Sequence, residues 1–199
     1  LYIDSSIQSL FIYTGTPEIT VGATDRFNCK IPTDEKVPMV IEDVQNPRWS
    51  YASSKGLGEQ AIVCSDLKYI IIRPHNIIGP HQNIWDRYRN VAGIWIRQAM
   101  AGESLTIYGD GQQRRAFSDV KFYLEPFESL LYNKETSCQI INIGADQDIS
   151  INELASIVQD VAHDRLHIRP GLIYLEPRDE VTNMWCNHDK AKNLLGFID

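Results

Sequence analysis

Two short apolar runs with one helical stretch between them constrain the fold of this chain more than any other feature of its sequence. Residues 10–13 and 69–72 are runs of β-forming apolar residues, which are typical of strands buried on both faces. Residues 51–63, between them, have the pattern of a helix. A strand, a helix and a second strand in this order predict a parallel sheet of the α/β class.

The rest of the chain predicts more elements of both kinds. A turn and a long polar loop are expected after the first strand, as far as about Pro47. Helices are predicted over residues 91–100 and 122–132, and extended segments over residues 105–108, 116–120 and 139–142. Ser150 and Glu153 have the spacing of a capping box at a helix start. A last helix over residues 189–195 should end at Gly196.

The composition excludes several classes of protein. The chain has 26 acidic against 19 basic side chains, a net charge of −7, so we expect neither nucleic acid nor an anionic membrane as its partner. A small phosphorylated ligand is still compatible, because it needs only a few local cations. No apolar run approaches the roughly 20 residues that cross a bilayer. At 199 residues the chain is long enough for one large domain or two small ones.

The cysteines and the first residues give expectations about the cellular compartment of the protein and about where its sequence begins. Four scattered cysteines form no Cys-x-x-Cys pair, which predicts reduced thiols, a cytoplasmic protein and no metal site. The first residues do not resemble a signal peptide. Because the sequence begins with Leu1 and not with Met, we expect that it starts inside a longer protein.

Tyr51 and Lys55 are the first candidates for chemistry. A spacing of four residues places the phenol and the ammonium on one face of a helix. A nearby positive charge favours the phenolate, so the tyrosine becomes a usable base near neutral pH. The alternative is an exposed pair of helical side chains with no chemical role.

Polar residues follow both predicted strands. Thr16 and Glu18 come after the first strand, and Arg73, His75 and Asn76 close the second. Ligands of open α/β sheets bind outside the carboxyl ends of the strands, so the hydroxyl, the carboxylate and the amide are well placed for one. The alternatives are an ordinary turn at Thr16 and a merely packed imidazole at His75.

Several arginines are candidates for phosphate. Arg115 follows the turn Tyr108-Gly109-Asp110-Gly111, and its planar fork suits phosphate oxygens. The alternative is a solvated hairpin with surface cations. Further possible phosphate contacts are Arg87, Arg89 and Arg178.

Together these segments resemble one family of enzymes, in the same order along the chain. Thr16 and Glu18 are similar to its Ser/Thr-x-Glu element, and Tyr51 with Lys55 to its Y-x-x-x-K. Further matching segments are Arg73-Pro74-His75-Asn76 with Gly79-Pro80, Tyr108-Gly109-Asp110-Gly111 with Arg115 and Phe117, Asn142-Ile143-Gly144, and Asp189-Lys190-Ala191 with Leu195-Gly196-Phe197. The sequence resembles an extended short-chain dehydrogenase/reductase of the NAD-dependent nucleotide-sugar epimerase/dehydratase superfamily.

The resemblance implies a fold and a domain division. We expect the rear part of a Rossmann-like parallel sheet over residues 1–76 and a smaller mixed α/β lobe that binds the sugar nucleotide over residues 77–199. Residues 116–135 are expected to pack back on the Rossmann part. The family's glycine-rich G-x-x-G-x-x-G turn occurs nowhere in the 199 residues. We therefore expect the chain to lack the N-terminal glycine-rich half.

The resemblance also implies roles for the candidates. Tyr51 would be the base as NAD oxidises a sugar hydroxyl, usually at C4. Lys55 would hold the nicotinamide ribose, with Pro74 also beside the cofactor. Thr16 would bind the reacting oxygen and Glu18 would assist the chemistry. The diphosphate would be held by Asn76, Arg115 and Arg178.

The fate of the keto sugar separates the possible reactions. A 4,6-dehydratase needs an acid where this chain has Pro17, so we expect epimerisation at C4 first and decarboxylation of a uronic acid second. Decarboxylation stays open because Pro47-Arg48-Trp49 resembles a stretch of one decarboxylase branch and because Glu18 is present. A non-catalytic structural or binding relative is the third. The expected partners are a nucleoside-diphosphate sugar and a second copy in a homodimer.

Overall fold

The computed structural model describes residues 9–85 and 90–199. The helices are α1 Glu18–Arg26, α2 Trp49–Val63, α3 Val91–Met100, α4 Leu124–Tyr132, α5 Ile151–Leu166 and α6 Asp189–Leu195. The strands are β1 Leu10–Thr14, β2 Lys68–Pro74, β3 Ile77–Ile78, β4 Leu105–Tyr108, β5 Arg114–Ala116, β6 Ser118–Asp119, β7 Gln139–Ile143, β8 Asp148–Ser150, β9 Leu172–Leu175 and β10 Asn183–Met184.

A parallel sheet with the order β1-β2-β7 forms one half of the fold, which confirms the predicted α/β class. Its central strand β2 has three completely buried residues, Ile70, Ile71 and Ile72. Such a strand has an unbroken apolar run because helices and loops cover both faces of a parallel sheet. The strands are parallel, so the ends of β1 and β2 lie at the same edge.

The hydrophobic core consists of separate clusters. The sheet cluster includes Ile70 and Ile141 together with Tyr123 and Leu130, so the segment around α4 packs on the sheet. A second cluster joins α3, β4 and α5 around Trp95. The division of the chain near residue 76 stays a prediction.

Three smaller sheets complete the fold, with the orders β10-β5-β8, β3-β6 and β4-β9. In the first of them β5 lies between a parallel and an antiparallel neighbour, so Arg114 and Arg115 are held from both sides. This pairing fixes the arginines next to the segment that leads into β10.

The loop expected from the first strand to about Pro47 is only partly a loop, because it contains α1. Threonine, valine and isoleucine give α1 low intrinsic helix propensity, so the sequence carries little local signal for it. Burial stabilises the helix instead. Ile19 clusters with Trp49 and Ala52 of α2, and Val21 is 1% exposed.

Other elements differ in detail. The predicted strand over 116–120 is interrupted, because β5 ends at Ala116 and β6 covers Ser118–Asp119. The helix expected from residue 122 begins at Leu124, after a 3₁₀ turn that the Asp119 carboxylate caps. Strand β9 was not predicted and pairs in parallel with β4.

Both predicted helix ends are confirmed. The Ser150 side chain accepts from the Glu153 N–H, and the Glu153 carboxylate accepts from the Ser150 N–H, which completes the capping box of α5. Gly196 ends α6 with a φ of 64°, a left-handed conformation that glycine adopts without steric cost. The four cysteines are free. Across residues 9–85 and 90–199, no helix combines the length and the apolar character that a membrane span needs.

Candidate active site

Five of the predicted site residues line one cavity of about 850 Å³: Glu18, Tyr51, Asn76, Arg115 and Arg178. They come from the start of α1, the first turn of α2, the loop after β2, the strand β5 and the segment after β9. A cavity of this volume suits a ligand of several rings. Three other predicted residues, Thr16, Lys55 and Pro74, are not part of its described lining.

Tyr51 and Lys55 lie on α2, as their spacing predicts. The Tyr51 side chain is 52% exposed, and its phenol has no hydrogen bond to any described residue. The Lys55 ammonium donates to the carbonyl oxygen of Thr14 over 2.8 Å and lies 5.3 Å from the centre of the Tyr13 ring. This bond holds the first turns of α2 at the carboxyl end of β1.

Thr16 and Glu18 lie where β1 passes into α1. Thr16 is buried, and its hydroxyl oxygen accepts from the Glu18 N–H at 3.3 Å. Burial raises the pKa of the Glu18 carboxyl, an effect that Glu180 increases and that Arg48 and Arg115 oppose. A carboxyl with a raised pKa holds its proton to a higher pH, so Glu18 is a possible proton donor.

Arg115 is largely occupied by protein groups. Its Nη1 donates to the carbonyl oxygens of Arg114 and Thr182, and its Nη2 donates to the Val181 carbonyl at 2.6 Å and the Glu180 carboxylate at 3.2 Å. Of its five N–H groups, the one on Nε has no partner among the described residues and is available to a ligand. Arg115 therefore stabilises the segment of residues 180–182, which precedes β10. Its contact with a diphosphate stays a prediction.

Arg178 and Asn76 offer polar groups to the same cavity. The Arg178 guanidinium lies 3.4 Å from the centre of the Tyr108 ring, a stacked contact. Its N–H groups have no hydrogen bond to the part of the chain that the structure describes. The Asn76 amide donates to the Ala116 carbonyl at 2.9 Å, which ties the loop after β2 to β5. Pro74 is the last residue of β2.

His75 is packed in the interior. It is 1% exposed, and neither ring nitrogen has a hydrogen-bond partner among the described residues. Burial, together with the smaller effects of the neighbouring His188 and Arg115, lowers the pKa of His75 to about 3. The imidazole is therefore neutral near pH 7, and it is not part of the described lining of the cavity.

A buried ion pair joins α2 to the central strand behind the cavity. Arg73 donates from Nε to both Glu59 oxygens, at 2.9 and 3.2 Å, and from Nη2 at 2.6 Å. Both side chains are 6% exposed. The pair fixes the position of the helix that carries Tyr51 and Lys55.

The structure adds several residues that sequence reasoning did not place in the site, and two of them carry a charge close to predicted site residues. Arg48 and Glu180 both line the cavity. For Arg48 the sequence offered a signal, since it lies one helical turn before Tyr51. For Glu180 it offered none, because its partner Arg115 is 65 positions away. Arg87 and Arg89, two candidate phosphate contacts, lie outside the described residues.

Comparison with known proteins gives one consistent family. Residues 4–144 match the sequence model of the NAD dependent epimerase/dehydratase family. A UDP-N-acetyl-alpha-D-glucosaminuronate decarboxylase of Bacillus cytotoxicus is 31% identical over 156 residues, which are 75% of this chain and 48% of that protein.

Solved structures share the fold. The epimerase Mth375 of Methanothermobacter thermautotrophicus is 25% identical with a TM-score of 0.79, over 94% of this chain and 54% of that one. A UDP-glucuronic acid 4-epimerase of Bacillus cereus, in complex with UDP-glucuronic acid and NAD, is 21% identical with a TM-score of 0.77, over 96% and 56%. The chain thus spans about half the length of these relatives.

Proposed function

This chain belongs to the NAD dependent epimerase/dehydratase family, and from that membership we propose that it forms the catalytic and sugar-nucleotide-binding part of an enzyme that inverts a nucleoside-diphosphate sugar at C4. The observation that carries the proposal is the cavity. Its wall contains a possible base, Tyr51, and the possible diphosphate ligands Asn76 and Arg178. These residues come from distant parts of the sequence.

The groups at the end of β1 fit the nicotinamide end of NAD. The Lys55 ammonium uses one of its three donors on the Thr14 carbonyl, so two remain for the ribose hydroxyls. The Tyr51 phenol, without a partner among the described residues, is free for the same ribose or for the substrate. NAD, when bound, accepts a hydride and gives it back. The glycine-rich pattern that cradles its pyrophosphate is absent from the sequence given.

Each residue of the site has a separate proposed role in binding or proton transfer. Arg178 and Asn76 hold the diphosphate, and Arg115 adds its free Nε and keeps the segment of residues 180–182 in place. Tyr51 is the base that takes the proton of the sugar hydroxyl when the sugar is oxidised, and Lys55 holds the nicotinamide ribose. Thr16 is proposed to bind the reacting oxygen once substrate is present.

Two reactions fit the cavity, and we place epimerisation first. Epimerisation needs only that the keto sugar turns and takes the hydride on its other face, and Pro17 offers no proton for dehydration. Decarboxylation is the second candidate. Its support is the 31% identity to the UDP-N-acetyl-alpha-D-glucosaminuronate decarboxylase and the presence of Glu18 and Arg48 in the cavity wall. We also propose that the protein is a cytoplasmic homodimer.

The test uses the full-length protein with NAD and a set of UDP-sugars, with products followed by NMR. An inverted C4 centre supports epimerisation, and released carbon dioxide supports the second candidate instead. Tyr51→Phe should lower turnover about 10²- to 10⁴-fold, the usual contribution of a general base. Tyr132→Phe, at a residue 76% exposed, is the matched control and should keep the parent's rate. An unchanged rate in Tyr51→Phe would refute the role of Tyr51, and no turnover of any sugar would favour a non-catalytic relative.

A further inference from the structure

Arg48 is a cation of the cavity wall that has no carboxylate partner among residues 9–85 and 90–199. The one hydrogen bond of its side chain to a described residue joins Nη1 to the carbonyl oxygen of Asp179 at 2.7 Å, and its guanidinium lies 5.0 Å from the centre of the Trp49 ring. Two other arginines of the same wall are paired, Arg115 with Glu180 and Arg97 with Glu103. A guanidinium has five N–H donors, and only one of those of Arg48 donates to a backbone carbonyl, so most of them are available to a ligand.

The neighbouring carboxyls do not neutralise Arg48. Glu180 is 3.2 Å from the Arg115 guanidinium and is paired there. Glu18 is near enough for Arg48 to act on its pKa, yet it forms no ion pair with Arg48, and burial raises its pKa. The wall beside Arg48 is therefore ready for an anion from outside.

The position of Arg48 relative to Tyr51 indicates where an anion bound by Arg48 lies in the cavity. Arg48 is the residue before α2 and already has helical angles, φ −51° and ψ −40°. Side chains three positions apart on a helix are neighbours, about 5–6 Å apart at Cβ. Both side chains line the same cavity, so the Arg48 fork and the Tyr51 phenol can reach one ligand.

The diphosphate does not account for this cation. Arg178, stacked on Tyr108, has no side-chain hydrogen bond to a described residue, so its fork is available for phosphate. A sugar whose C4 hydroxyl meets Tyr51 brings its C5 substituent within a few ångströms of the same helical face. On a hexose this substituent is neutral, but on a uronic acid it is a carboxylate, which an arginine fork binds with two parallel hydrogen bonds.

We propose that Arg48 binds the C6 carboxylate of the sugar, so that the substrate of this site is a nucleoside-diphosphate uronic acid. The proposal rests on the proposed function and names its substrate class. The proposal holds for epimerisation and for decarboxylation, because in both reactions the substrate binds with its carboxylate present.

The test compares two ligands that differ only at C6, UDP-glucuronic acid and UDP-glucose, by calorimetry on the full-length protein with NAD. The parent should prefer UDP-glucuronic acid. Arg48→Met should weaken its binding about 10- to 100-fold, the fold-change of one lost charged hydrogen-bond pair, and should change the affinity for UDP-glucose by less than about twofold. Arg48→Lys should restore part of the preference. Arg97→Met removes a paired cation of the same wall and should leave the ratio of the two affinities unchanged.

The ratio separates recognition from a structural effect, because damage to the fold weakens both ligands alike. Equal affinities of the parent for the two sugars, or equal losses in Arg48→Met, would overturn the proposal and leave the proposed function intact. If the parent binds neither UDP-sugar, the proposed function fails and this inference fails with it.

Discussion

The ion pair between Arg73 and Glu59 should be a large contributor to the free energy of unfolding, and Glu59→Ala tests this. The substitution removes all three contacts that the carboxylate makes with the guanidinium. It leaves the Arg73 charge in a place where its side chain is 6% exposed. The remaining described hydrogen bond of the Arg73 side chain, from Nη1 to the Glu35 carbonyl, is long at 3.5 Å.

A buried charge that loses its partner costs about 3–5 kcal/mol, because desolvation is no longer offset. With a urea m-value of about 2–3 kcal/mol/M, the upper part of the usual range, Glu59→Ala should lower the midpoint of urea unfolding by about 1–2.5 M. Replacing both partners, with Arg73→Met and Glu59→Leu together, should cost much less, because no charge is then left buried.

Arg169 and Asp160 provide the matched control. Their N–O distance of 2.7 Å is nearly the same as in the buried pair, but their side chains are 54% and 61% exposed. Asp160→Ala should therefore change the free energy of unfolding by less than about 1 kcal/mol. A loss in Glu59→Ala no larger than in Asp160→Ala would refute the argument from burial.

Three further predictions concern other parts of the chain. The folded-state pKa of His75 is about 3, below that of the unfolded chain, so protons favour unfolding. Between pH 7 and pH 5 this should cost about 2 kcal/mol in urea titrations, and His75→Leu should flatten the slope; an unchanged slope would contradict the assignment. Gly102 and Gly111 have φ of 70° and 73°, but only at Gly111 would a Cβ collide with a side chain. Gly102→Ala should thus cost about 1–2 kcal/mol and Gly111→Ala more, and equal losses would contradict the contact. Arg178→Ala should weaken UDP binding about tenfold or more in calorimetry, and unchanged affinity would remove Arg178 from the phosphate site.

Local patterns in the sequence were sufficient for much of the fold. The apolar run at residues 69–72 predicted the central strand, and the spacing of Ser150 and Glu153 predicted the start of α5. The four-residue spacing of Tyr51 and Lys55 placed both on one helix. Each of these features depends on residues within one or two turns of each other, so the information lies in a short stretch of sequence.

Other features were decided only by tertiary contacts. Helix α1 has weak propensity and is stabilised by burial against α2. The Glu180 carboxylate occupies Arg115 across 65 positions, so the sequence could not show that a predicted phosphate ligand has most of its donors engaged. Arg48 stands in a short motif, but that it has no carboxylate partner in the described part of the chain is a property of the assembled cavity wall. Charge pairing between distant segments depends on how the chain folds back on itself, and residue spacing carries no record of it.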